Sequence, residues 1–167
     1  MIQTLLPPET QTAIRFTVYG RPQQRGSKQA VLIPKRGGGW VTKNGRPIVA
    51  AKDDNPNSKE WMGQVRDAAA AAFQGELIQS TVRVELACYF RRPKSHFRTG
   101  KNAHLLRDDA PRYHAGTPDL DKLQRAIGDS LSGVVLCDDK QIAIWQAQKC
   151  WTNEAERAEV TIERIDP

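Results

Sequence analysis

At 167 residues the chain is long enough for one compact domain with its own core and too short for two. A hydrophobic share of 39% beside 26% charged residues excludes general disorder, and no apolar run nears the ~20 residues that span a bilayer. The net charge of +6 is modest, but it is spread unevenly along the chain. The first residues (MIQTLLPPET) lack the basic-then-apolar pattern of a signal peptide, and residues 1–12 are expected to be a flexible tail. Cys88, Cys137 and Cys150 show no CxxC spacing, so buried, reduced thiols and a cytoplasmic setting are expected.

Ile14, Phe16 and Val18 alternate with polar residues and predict a first strand. Residues 30–34 and 39–50 predict short strands, with Asn44-Gly45 as a hairpin turn. Trp61, Val65, Ala69, Ala72 and Phe73 recur at helical spacing from about Ser58 to Gln74, with Ser58 as N-cap and Gly75 as stop. Val82 to Phe90 give the cleanest strand alternation, and residues 91–116 read as a long basic loop of the kind that is usually functional or disordered. Thr117-Pro118 then reads as the opening of a second helix whose buried stripe is Leu120, Leu123, Ile127 and Leu131. Asp121, Arg125 and Asp129 follow one another at i, i+4 on the other side, which pairs Arg125 with Asp129. Val134–Leu136 look extended, and strands follow from about Gln141 to Trp151 and Ala158 to Ile165. The order predicts a single α+β domain over residues 1–167, two main helices packed on a mostly antiparallel or mixed sheet.

Gly20 to Lys52 holds eight basic residues and no acid; Arg91 to Gly116 holds seven more against Asp108 and Asp109. Asp119 to Asp139 reverses the sign, with five aspartates against Lys122 and Arg125. An acidic knot in a basic protein suits phosphodiester cleavage, because cations attract the polyanion and carboxylates hold a divalent ion. Ordinary solvated charge, with aspartates favoured at a helix start, explains the same pattern without function. Candidate DNA contacts are Arg21, Arg25, Lys28, Arg91, Arg92, Lys94, His96, Lys101, His114 and Lys122. Asp119, Asp121 and Asp139 are the candidate metal ligands, since a short strand can return Asp139 to the same end of the helix. Asp138 is either a fourth ligand or a support for Asp139. The gaps between His96, His104 and His114 match no zinc pattern; these histidines are expected to touch DNA backbone or loop carbonyls. Trp145 and Trp151 share a strand face and are expected in core or dimer packing.

The run from Thr117 to Ile142 closely resembles the signature of the RusA family of Holliday junction endonucleases. The matching residues are Pro118-Asp119-Leu120-Asp121-Lys122, Arg125, and Asp138-Asp139-Lys140-Gln141-Ile142. The resemblance extends to Arg91–His96, His114 and, more loosely, Gly20–Lys28. It implies a homodimeric, Mg²⁺-dependent resolvase, with Mn²⁺ as a substitute, acting on branched DNA and often encoded by phages or prophages. It also implies that Asp119, Asp121 and Asp139 are catalytic, with Arg125 in the place of the family's lysine. Lys122 stands for the usual asparagine and Thr117 for a frequent lysine. A guanidinium clamps phosphate as a planar fork and is poorly suited to proton transfer. The competing expectations are a non-catalytic basic DNA-binding protein and a nuclease acting on flaps or forks.

Overall fold

The computed structural model describes residues 13–26, 28–53 and 55–166, with the backbone alone at 28, 29 and 51–53. The expected tail, residues 1–12, lies outside the described residues. Alternation builds the central sheet: β1 (Ile14–Tyr19), β6 (Val82–Arg91) and β8 (Arg157–Arg164) each bury every second side chain. With β7 (Ile142–Thr152) they form a sheet in the order β1-β8-β6-β7. The β1/β8 and β8/β6 pairs are antiparallel and β6/β7 is parallel, so the sheet is mixed. Its inner face carries Phe16, Val18, Val84, Leu86, Phe90, Val160 and Ile162, all buried. Trp145, Ala147 and Trp151 of β7 pack against that core.

Two helices cover this face. Helix α1 (Ser58–Ala72) buries Trp61, Met62, Val65 and Ala69 against β1 and the second helix. Its N-cap is Asn57, one residue before the expected Ser58, because Asn57 already offers its carbonyl to the N–H of Trp61 at 3.2 Å. The helix stops at extended Phe73, two residues before Gly75. Helix α2 (Leu120–Leu131) buries Leu123, Ala126, Ile127 and Leu131, while Leu120 is half-buried. The parallel β6/β7 pair needs a crossover, and the segment with α2 supplies it. Among the described residues no helix is long and apolar enough to cross a membrane.

Between β1 and α1 a separate ribbon forms: β2 (Lys28–Leu32) pairs antiparallel with β5 (Val49–Asp53), and β3 (Thr42–Lys43) with β4 (Arg46–Pro47). Asn44 and Gly45, at φ of 51° and 74°, make the expected hairpin turn, which requires positive φ at both positions. Three further expectations fail. Thr117-Pro118 does not open α2; it is a cis peptide preceding the N-cap Asp119, whose carbonyl accepts from Leu123 N–H at 3.1 Å. Val134–Leu136 are not extended but fold back as a turn, their N–H groups all meeting the Leu131 carbonyl at 3.0–3.1 Å. Cys137 is exposed, while Cys88 and Cys150 are buried thiols; burial pushes the Cys88 thiol up to about 12.

Candidate active site

Asp119 sits at the N-cap of α2, the place expected for Thr117, and Asp121 lies in its first turn. The Asp119 side chain caps nothing, since its carboxylate turns to Lys122 Nζ at 3.0 Å. Its position is fixed by two other segments. From β7, Lys149 Nζ donates to the carbonyls of Gly116 and Pro118, both at 2.7 Å, clamping the backbone just before Asp119. From residues 20–26, Gln24 Oε1 accepts from the Asp119 N–H at 2.8 Å, and the Arg25 N–H donates to the Lys122 carbonyl at 3.1 Å. Asn55 Nδ2 in turn donates to the Gln24 carbonyl at 2.8 Å.

The Arg25 guanidinium pairs with Asp129, which corrects the expected Arg125–Asp129 pair. Helical spacing allowed the local partner; the segment laid along α2 supplies a cation from 104 residues away. Arg125 is therefore uncommitted. Among the described residues, the exposed side chains of Asp121 and Arg125 make no hydrogen bond or ion pair.

The Asp138-Asp139-Lys140-Gln141 element is a capped 3-10 turn. Asp138 accepts from Lys140 N–H at 3.0 Å, and Gln141 Oε1 accepts from Asp138 N–H at 2.9 Å. Gln141 Nε2 donates to the carbonyls of Ile78 and Ser80 at 2.8 and 3.0 Å, tying the turn to the entry of β6. The Lys140 N–H, and then the Lys140 charge, hold the Asp138 carboxyl below the usual carboxylate range. Asp138 thus shapes the turn that presents Asp139. A Cβ on Gly128 would stand 3.6 Å from the Asp139 Cβ, so Asp139 lies over the second half of α2. At 100° per residue Asp121, Arg125 and Gly128 fall within roughly 60° of one another, on one strip of the helix. The strip therefore runs from Asp121 past Arg125 to Asp139, with Asp139 displaced toward the C-terminal half and not at the end that carries Asp119.

Among the described residues no three His, Cys, Asp or Glu side chains close into a metal-holding cluster. The donor chemistry nonetheless suits a hard divalent cation. Asp121 and Asp139 are exposed carboxylates, hard oxygen donors of the kind such an ion takes, and the Asp138 side chain lies within hydrogen-bonding reach of Asp139.

The candidate DNA contacts divide. Arg21, Arg91, Lys94 and Lys101 are exposed; His96 and Lys122 are half-buried; the Lys28 side chain lies outside the described residues. Arg92 donates to the Pro111 carbonyl at 2.7 Å and so also braces the loop. His114, expected to touch DNA backbone or a loop carbonyl, is buried between Phe90 and Trp151, with ring centroids 4.5 and 4.2 Å away, and among the described residues its Nδ1 has no partner. Burial, then the charges of Lys149 and Arg21, push its pKa below the ordinary histidine value. Trp145 and Trp151 line the core side of β7, as expected. Gln24 and Lys149 were not singled out by the sequence reading. Lys149 left a signal, a lone lysine in the inward series Trp145, Ala147, Lys149, Trp151; Gln24 left none.

No curated protein matches the chain. Comparison with family models matches residues 33–163 to the endodeoxyribonuclease RusA family. That span covers most of the 167 residues and contains the whole of α2, the Asp138–Gln141 turn and the sheet strands β6 and β7. The chain therefore belongs to the RusA family of endodeoxyribonucleases, the enzymes that cut Holliday junctions.

Proposed function

We propose that the chain is a Mg²⁺-dependent resolvase that cuts opposed strands of a four-way junction, working as a two-fold dimer in the cytoplasm of a bacterial host. What supports this reading is that Asp121 and Arg125 of α2, with no hydrogen bond or ion pair among the described residues, lie on the strip that leads to Asp139 over Gly128, inside the matched family span. Asp119, Asp121 and Asp139 would hold the metal through hard carboxylate oxygens, with Asp138 as the support of Asp139. A divalent cation bound there supplies Lewis-acid neutralisation of the scissile phosphate and lowers the pKa of water. Arg125, one turn beyond Asp121, clamps the phosphate and takes up charge that develops on it in the transition state. Lys149 and Gln24 hold the backbone of Asp119 in place. Exposed cations in residues 20–52 and 91–116 bind the DNA backbone, contacts that carry no sequence information. A junction has two equivalent cleavage points, and a two-fold dimer presents two sites to match them.

The test is incubation of purified protein with a mobile four-way junction, a flap, a fork and a plain duplex, with and without Mg²⁺. The proposal expects paired nicks in the junction, dependent on Mg²⁺, and little cutting of duplex. Preferential cutting of flaps or forks replaces the substrate while keeping the site. Tight binding with no cleavage in Mg²⁺ or Mn²⁺ identifies a DNA-binding protein with structural aspartates.

A further inference from the structure

Residues 28–53 form a forked arm whose shape is held by its own backbone. The stem is the β2/β5 ribbon, paired from Lys28↔Asp53 to Leu32↔Val49. Beyond it three segments meet in a closed ring of hydrogen bonds. Val41 N–H donates to the Ile33 carbonyl at 2.8 Å, Ile33 N–H to Ile48 at 3.3 Å, and Ile48 N–H to Val41 at 2.7 Å. Two lobes leave this ring. One runs from Pro34 to Trp40, with Lys35 N–H on the Gly39 carbonyl at 3.0 Å and Gly37–Gly39 at positive φ; the other is the β3/β4 hairpin. From Leu32 to Val49 only Ile33, Val41 and Ile48 are even half-buried. No core is there to explain the side chains the arm displays.

Those side chains are cations and one large aromatic. Lys35 and Arg36 stand on the first lobe and Lys43 and Arg46 on the second, and among the described residues none of the four is in an ion pair. The loop 91–116 differs, since its Arg98 and Arg107 are paired with Asp108 and Asp109. Trp40 is 51% exposed at the foot of the first lobe. Unneutralised charge repels itself, and an exposed indole is costly in water. A partner that is polyanionic and offers flat π faces answers both, and DNA with an unstacked base has both properties.

We propose that this arm grips branched DNA, with Trp40 stacking on a base exposed at the branch point while Lys35, Arg36, Lys43 and Arg46 hold the flanking phosphates. The inference deepens the proposed function and rests on that reading for its substrate. Duplex bases are already stacked, so Trp40 discriminates branched from linear DNA while the four cations do not.

The test uses the full chain without Mg²⁺, so that binding is read apart from cleavage. The DNAs are a four-way junction with 2-aminopurine at the branch and a matched duplex. Wild type is expected to change the 2-aminopurine fluorescence. Trp40→Ala should abolish that change and weaken junction binding roughly 5- to 150-fold, with duplex binding unchanged and Trp40→Phe largely rescued. Replacing all four cations with glutamine should weaken both DNAs and lower the salt slope by up to about 3.6. Equal junction affinity for Trp40→Ala and wild type overturns the stacking role, as does an equal loss on junction and duplex. A Trp40→Ala chain that turns monomeric in sedimentation also overturns it, because the arm then faces a second copy. Branch-specific binding through Trp40 without cleavage in Mg²⁺ leaves the arm standing and defeats only the catalytic reading. Failure of wild type to bind the junction defeats both.

Discussion

Replacing Lys149 with methionine keeps the stem that packs along the inner face of β7 and removes the ammonium that clamps Gly116 and Pro118. Both bonds are 2.7 Å long. Gly116 is exposed, so its carbonyl recovers water and the loss there is about 0.5–1.5 kcal/mol. Pro118 is buried, and its carbonyl loses a charged donor worth about 1.5–3 kcal/mol. Burying the ammonium costs part of this sum, which leaves a net loss of ~2 kcal/mol. For a domain of this size that lowers Tm by roughly 4–8 °C. The larger effect is on catalysis, because Asp119 directly follows Pro118, and a ~1 Å drift of a catalytic group costs on the order of a hundredfold in rate. Thermal unfolding and single-turnover cleavage of a saturated junction measure the two parts, with junction affinity as the control that stays unchanged. A Lys149→Met chain that melts within about 1 °C of wild type and cuts as fast would refute the clamp.

The depressed pKa of His114 makes stability pH-dependent. The neutral ring's contribution is complete above ~6.5 and is lost as pH falls below that value toward the lower folded pKa, because the unfolded chain takes up the proton the folded one resists. Urea unfolding at pH 7.5 and 5.5 should therefore show a fall for wild type that His114→Gln lessens; equal slopes would clear His114. Arg125→Ala should slow single-turnover cleavage by roughly a hundred- to a thousandfold, and Arg125→Lys should stay largely active. Alanine cutting near the wild-type rate makes Arg125 an ordinary surface residue. Lys122→Asn frees the Asp119 carboxylate from a half-exposed pair worth about 1 kcal/mol, so the half-saturating Mg²⁺ concentration should fall by up to roughly fivefold. A requirement that stays equal or rises shows that Lys122 does not compete with the metal.

The elements most legible in the sequence are those whose periodicity is enforced by burial. β1, β6 and β8 alternate because one face meets the helices, and α2 shows its stripe because Leu123, Ile127 and Leu131 face the sheet. Partnerships across long separations were not legible. Helical spacing offered Asp129 a neighbour in Arg125, and nothing local revealed that Arg25 would arrive instead. His114 reads as a loop residue until β6 and β7 bring Phe90 and Trp151 to its two sides. The apolar run Val134–Leu136 suggests a strand, but positive-φ Gly133 turns the chain back onto Leu131. At the site, the residue types and the order of the aspartates were visible, while the placement of Asp139 over Gly128 depends on the turn that Asp138 and Gln141 build.

The central claim is that Asp119, Asp121 and Asp139 together hold a divalent ion that drives junction cleavage. Its most direct measurement is cleavage of a four-way junction at saturating Mg²⁺ by Asp119→Asn, Asp121→Asn and Asp139→Asn, with junction binding followed in parallel. Each substitution removes one anionic ligand and also some repulsion from the DNA phosphates. All three variants are expected to lose cutting and to bind the junction as well as wild type or better. Full-rate cleavage by any one of them would contradict its place in the metal site.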